Sequence, residues 1–198
     1  MPTNPKLSKI GFFGGTFDPI HIGHTAIAEM AIEVSGLDTL LICPAFQSPL
    51  RKNKNLFQTA DRLSMINEFV KLNPRIEVLD YEINKPQPSF TYLTIERLKL
   101  IYPDAKFFLI IGDDQFVSLP KWKNIDQLSD AVHFIVFRRT LQTTPEAPIP
   151  NINYTLMENP LIDISSTSIR ACLSAGISIR EMVPQPVFNY LKRNHLLV

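Results

Sequence analysis

The sequence predicts an α/β fold: a doubly wound, mostly parallel sheet of about five to six strands with helices on both faces. Three observations carry this. Short apolar runs at 10–13, 39–44, 106–111 and 132–137 alternate with longer stretches of helical period, the order that builds right-handed βαβ units. The run at 106–111, Lys-Phe-Phe-Leu-Ile-Ile, shows no polar alternation, as in a parallel strand covered on both faces. The strand at 39–44 leads into a loop rather than a hairpin turn.

The chain's 198 residues favour one domain over 1–198, with a small helical part from about residue 164. Apolar residues make up 45% and charged residues 20%, ordinary for a globular protein. A net charge of +1 gives no general pull toward nucleic acid or membrane, so any anion site is local. The first residues lack a basic segment followed by an apolar one, and no apolar run is long enough to span a bilayer. Cys43 and Cys172 form no metal spacing and no disulfide framework. They read as small buried side chains in a reducing compartment, so the expected location is cytoplasmic.

The first strand exits into Gly14-Gly15-Thr16-Phe17-Asp18-Pro19-Ile20-His21-Ile22-Gly23-His24. Two glycines there let backbone approach a ligand closely. The helix that follows, 25–34 and ended by Gly36, aims its positive end at the same place, a ready phosphate site. His21 and His24 are three apart and share a face. Neither a G-x-G-x-x-G nor a G-x-x-x-x-G-K-[ST] loop is present. No third ligand at a recognised spacing accompanies the histidines, so a metal site is not expected.

The loop at 45–57 carries Arg51, Lys52 and Lys54 and borders the same edge of the sheet, where open α/β sheets place ligands. Lys52 is expected to contact phosphate. Thr59 reads as the N-cap of a helix to residue 72, with Leu63, Ile66, Phe69 and Val70 as its buried stripe. After a strand at 76–79, Pro86-Gln87-Pro88-Ser89-Phe90-Thr91 turns into a helix at 91–101 striped by Leu93, Ile95, Leu98 and Ile101. Ser89 or Thr91 is expected to cap it, giving a second small anion site.

The strand at 106–111 ends in Gly112-Asp113-Asp114, carboxylates expected to face the crevice. Trp122, the only tryptophan, reads equally as core and as ligand platform. Residues 138–152 are polar and Pro-rich, an expected exposed and mobile loop, before a short strand at 154–157. Ile164-Ser165-Ser166-Thr167-Ser168-Ile169-Arg170 places hydroxyls, free amides and a guanidinium at one helix start. The dipole disfavours a cation there, which an anion nearby would explain. A last helix within 183–197 closes the fold, whose element order is Rossmann-like.

Helix N-termini, two histidines, Lys52 and Arg170 suit a polyphosphate, and no Cys or Ser is paired with a base for covalent attack. Phosphoryl and nucleotidyl transfers need in-line positioning and charge stabilisation, with little covalent chemistry from the protein. The residues alone therefore point to a nucleotide-handling enzyme that works by orientation.

G-G-T-F-D-P-I-H-I-G-H and I-S-S-T-S-I-R resemble the two ATP-binding segments of the nucleotidyltransferases with an H-x-G-H motif. The whole chain resembles their nicotinate-nucleotide adenylyltransferase branch. The resemblance implies that His21, His24, Thr16 and Arg170 hold the triphosphate, with Lys52 beside it. Gly14, Gly15, Phe17, Gly112, Asp114, Ile164, Ser165 and Ser166 would line the rest of the ATP site. P-A-F-Q-S-P-L-R-K, S-F-T, I-I-G-D-D and L-P-K-W resemble further family segments, which puts the pyridine ring on Trp122 and its carboxylate near Thr91 and Lys123, with Asp18 on the substrate side. The implied reaction joins ATP to nicotinate mononucleotide, giving deamido-NAD and pyrophosphate with Mg²⁺ on the phosphates. No nucleic acid or membrane partner is implied, and a homo-oligomer stays open. Phe90 and Leu93 depart from the family's Tyr and acid, both in the substrate half. Adenylylation of nicotinamide mononucleotide or phosphopantetheine, and a catalytically silent nucleotide-binding regulator, are the alternatives. A cytidylyltransferase is disfavoured, because that branch carries Arg-x-x-Gly-Ile-Ser-Thr-Thr as its second motif.

Overall fold

A computed structural model describes residues 7–49, 54–139 and 146–197. Six strands form one sheet: β1 (Lys9–Gly15), β2 (Thr39–Pro44), β3 (Ile76–Val78), β4 (Lys106–Gly112), β5 (Val132–Phe137) and β6 (Tyr154–Met157). Their order is β3-β2-β1-β4-β5-β6, and every pairing is parallel. Between them run α1 (Ile22–Ser35), α2 (Thr59–Val70), α3 (Thr91–Ile101), α4 (Asp113–Val117) and α5 (Ile125–Ala131); α6 (Ser166–Ser174) and α7 (Gln185–Arg193) follow.

Period-2 alternation sends the apolar side chains of each strand to two separate cores. Phe13, Leu40, Ile42, Ile110, Ile135 and Phe137 enter the core shared with α1, α2, α6 and α7. Ile10, Phe12, Leu41, Cys43, Leu109 and Phe134 enter the core shared with α3, α4 and α5. With both faces covered, these strands need no polar side, which is why they read as continuous apolar runs.

Chain order places β1 at the centre, with β2 on one side and β4 on the other. The crossovers leave β1 and β4 in opposite directions, so their carboxyl ends splay apart and open a crevice. That crevice positions the site.

Two helix faces differ from the sequence pattern. On α2 the fully buried face holds Arg62, Met65, Ile66 and Phe69, and its N-cap is Gln58 rather than Thr59. On α3 the buried residues are Thr94, Ile95 and Leu98, whereas Leu93 and Ile101 are exposed. The face is turned toward Thr94 because a buried carboxylate, Glu82, meets its hydroxyl at 2.6 Å.

Candidate active site

The crevice is a cleft of about 280 Å³. It is walled by the exits of β1 (Gly14, Gly15) and β4 (Gly112), by Arg138 and Arg139 after β5, and by the starts of α1 and α6. Of the residues that the sequence assigned, it gathers Gly14, Gly15, Thr16, Phe17, His21, His24, Gly112, Asp114, Ile164, Ser165, Ser166 and Arg170. Lys52 lies outside the described residues.

Local geometry explains how the loop after β1 presents its histidines. Phe17 has φ 47°, a left-handed conformation that non-glycine residues adopt at a cost. Its ring is buried edge-on against Phe13 at 5.4 Å and His24 at 5.0 Å, which holds the turn in place. Gly15 allows this, since a Cβ there would meet the Phe17 ring at 3.0 Å. His21 is the N-cap of α1, and its amide donates to His24 Nδ1 at 3.3 Å. With Nδ1 accepting, a neutral His24 carries its proton on Nε2 as a donor. The two imidazoles stack with centroids 3.7 Å apart. Gly23 lets the His21 ring lie over the helix start, because a Cβ at that position would sit 3.1 Å from it.

Both rings are held neutral. Burial, then the Arg139 charge, lowers His21 from 6.5 to about 3. Burial, then His21 and Arg139, lowers His24 well below its ordinary value. In the free protein these are therefore hydrogen-bonding groups, not cations. His21 Nδ1 is buried with no hydrogen-bond partner among the described residues.

The helix starts contribute less and more than the sequence suggested. At α1 the Ile22 amide donates to Met182 O at 3.1 Å, and the amides of His24 and Thr25 turn back to His21 O. Among the described residues the Gly23 amide of that turn has no backbone partner. At α6 the side chain of Ser165 accepts from the Ser168 amide, and the Ser165 amide donates to Ser168 Oγ, a reciprocal cap. Ser166 Oγ donates to Pro19 O at 3.0 Å, which ties this helix to the β1 loop. Arg170 Nη1 donates to Asp18 O at 2.8 Å, and Nη2 to Thr167 Oγ1 at 3.0 Å.

Asp18 belongs to this framework rather than to the cleft wall. It is fully buried, and its carboxylate accepts from the amides of Leu56 and Phe57 at 3.0 and 2.9 Å. Arg170 Nη1 lies 3.6 Å from it. Asp113 is likewise turned inward: it is buried and accepts from the Arg139 amide at 3.1 Å. Only Asp114 of that pair reaches the cleft, where Arg139 Nη1 meets it at 3.0 Å.

Thr91, Trp122 and Lys123 sit outside this cleft, near one another. Phe90, not Ser89 or Thr91, is the N-cap of α3, without a side-chain cap bond. Lys123 Nζ stands 4.7 Å above the Phe90 ring, which joins the Ser89-Phe90-Thr91 turn to the segment after the 3-10 turn Leu119–Lys121. Trp122 is half-buried against the second core. Its Nε1 is buried with no hydrogen-bond partner among the described residues. Among the described residues no cluster of three or more His, Cys, Asp or Glu could hold a metal, and no helix is long and apolar enough to cross a membrane.

Known proteins show which family the chain belongs to. Residues 12–172 match the model of the cytidylyltransferase-like family. A Methylacidiphilum infernorum protein named "Probable nicotinate-nucleotide adenylyltransferase" is 35% identical over 96% of this chain and 92% of its own. A Lactiplantibacillus plantarum protein of the same name is 37% identical over 95% and 87%. The chain belongs to the nicotinate-nucleotide adenylyltransferase family. It is thus a member of a nucleotidyltransferase class. The fold agrees: the Plasmodium falciparum nicotinic acid mononucleotide adenylyltransferase complexed with NaAD superposes with a TM-score of 0.78 at 18% identity, over 96% of this chain and 97% of that one.

Several cleft residues of this family member escaped the sequence reading. Arg138, Arg139, Gln115 and Asn159 all line it. The position of Arg138 and Arg139 directly after a central strand was the available signal, since strand exits face the crevice. The Pro-rich stretch behind them obscured it. Arg62 is fully buried and donates to Thr16 O, Ala45 O and Phe46 O at 2.7, 2.8 and 3.3 Å. It ties the β1 loop to the loop after β2, and an arginine in a helical stripe gives no hint of that.

Proposed function

We infer that this protein transfers the adenylyl group of ATP to nicotinate mononucleotide, giving deamido-NAD and pyrophosphate. The 5′-phosphate oxygen of the mononucleotide attacks the α-phosphorus, and the bond to the β-phosphate breaks, so that pyrophosphate leaves with the electron pair. The observation that supports this best is the convergence of two neutral stacked imidazoles, a glycine turn, the α6 start and Arg170 on one cleft, whose Ser165 and Ser166 hydroxyls are tied to Ser168 Oγ and Pro19 O rather than to a base. Such a set orients phosphates and steadies the charge that spreads over them.

In this reading His24 donates through Nε2 to a phosphate oxygen, and Thr16, the Gly23 amide and the α6 amides hold its neighbours. Neutral imidazoles suit the task, because a cationic pair stacked at 3.7 Å would repel itself before substrate arrives. Negative charge entering the cleft pairs with Arg139 and removes one of the two causes that keep His21 deprotonated. Arg170 carries the leaving pyrophosphate, anchored by Asp18 from behind. Lys52 completes the phosphate set.

Mg·ATP is the expected form of the nucleotide. Mg²⁺ keeps most of its water and is held largely by substrate phosphates, so a cleft with Asp114 as its carboxylate suits it. The ion would neutralise phosphate charge there. The pyridine half falls to Thr91, Trp122 and Lys123, where backbone and indole donors suit a carboxylate.

Pyrophosphate release should be measured with ATP and either nicotinate or nicotinamide mononucleotide. Preference for the nicotinate form by about tenfold to a hundredfold is expected, the penalty for leaving such donors unpaired, and His24→Ala should abolish turnover. No release with nicotinate mononucleotide, beside turnover of another acceptor, would contradict the reading.

A further inference from the structure

Glu82 stands outside the cleft and outside every assigned role. It is a buried carboxylate, 7% exposed, in the turn that follows β3. Thr94 Oγ1, itself buried, donates to Glu82 Oε1 at 2.6 Å. The Ser89 side chain lines the same small pocket as Glu82 and Thr94, and the Cys43 thiol lies close enough to the carboxylate to interact with it. Ser89 Oγ in turn accepts from the Phe46 amide at 3.1 Å, and the Ser89 amide donates to Gln47 O at 2.9 Å. The carboxylate is thus bonded to the first turn of α3 through Thr94 and stands beside both the Ser89-Phe90-Thr91 turn and the end of β2.

Burial pushes the Glu82 carboxyl up, and the Thr94 hydroxyl, followed by the neighbouring Ser89 and Cys43 side chains, opposes that shift. A buried carboxylate is costly to keep, and an apolar residue would fill the volume without that cost. What an apolar residue cannot do is accept from a buried hydroxyl and fix its direction.

We propose that Glu82 is a positioning residue for the acceptor half of the site: it sets the Ser89-Phe90-Thr91 turn, and with it the amides and the Phe90–Lys123 contact that frame the pyridine nucleotide. This rests on the acceptor assignment made above. Glu82 touches no part of the ATP cleft, so its influence falls on one substrate only.

The test compares wild type with Glu82→Gln, Thr94→Val and Thr94→Ser, measuring KM separately for nicotinate mononucleotide and for ATP, with hydrogen exchange at amides 88–92. Glutamine keeps the length but replaces an acceptor by a donor. It should raise the mononucleotide KM about tenfold, as a disrupted buried hydrogen-bond set would, and leave the ATP KM within about twofold. Thr94→Val should act in the same direction, and Thr94→Ser, which keeps the hydroxyl, should match wild type. Exchange at 88–92 should speed up in Glu82→Gln and Thr94→Val relative to the remaining amides. Should Glu82→Gln fail to fold, the Thr94 pair carries the test. Equal rises in both KM values, or identical behaviour of the valine and serine variants, would overturn the proposal. A wild type that does not turn over nicotinate mononucleotide would remove the acceptor assignment instead, while the exchange data would still decide whether Glu82 sets the turn.

Discussion

His21 shows at the residue scale how placement changes chemistry. Its ring is 3% exposed, and burial together with Arg139 brings its pKa to about 3. In the unfolded chain the same imidazole titrates near 6.5. As pH falls below that value the unfolded state takes up a proton that the folded state refuses, so stability is lost as the solution is acidified from about 6.5 toward 3. From pH 7 to pH 5 the loss from this residue is about 2 kcal/mol. Urea midpoints at the two pH values should show it, and His21→Asn should flatten the difference. The same neutrality explains why a stacked imidazole pair is tolerated at all.

Arg62 acts at the scale of elements, since α2 reaches through it to the loops after β1 and β2. Its guanidinium replaces solvent for the carbonyls of Thr16, Ala45 and Phe46. Arg62→Met keeps the apolar stem and leaves those acceptors unpaired, so it should cost about 3 kcal/mol and weaken ATP binding, both measurable by urea titration and calorimetry. An unchanged stability would show that water takes over these carbonyls. Sequence patterns were blind to this contact, because period 3.6 identifies faces by apolarity and a buried arginine reads as solvated. The same blindness applies to Glu82 and to Thr94, whose polar groups turn the α3 face away from Leu93. By contrast, the α6 start was legible, for Ser165 and Ser168 reciprocate within four residues and need nothing distant.

The whole molecule places the site by topology. Apolar runs that feed two cores made the parallel sheet readable from residues such as those of β4, whereas the placing of β1 between β2 and β4 was not. What could not be read were contacts between distant segments: the Ile22 amide on Met182 O, Asp18 on Leu56 and Phe57, and the arrival of Arg138 and Arg139 beside the histidines. Each depends on where a crossover returns the chain, which local pattern does not encode. Topology nonetheless fixes that the β1 and β4 exits form the crevice, and the stacked histidines face into it.

Every role proposed for these residues requires the crevice to hold the triphosphate of ATP between the β1 turn and the α6 start. A crystal structure with a non-hydrolysable ATP analogue tests it most directly. Phosphate oxygens should lie within hydrogen-bond distance of His24 Nε2, the Gly23 amide and Arg170. A triphosphate bound elsewhere, with both imidazoles out of contact, would contradict it.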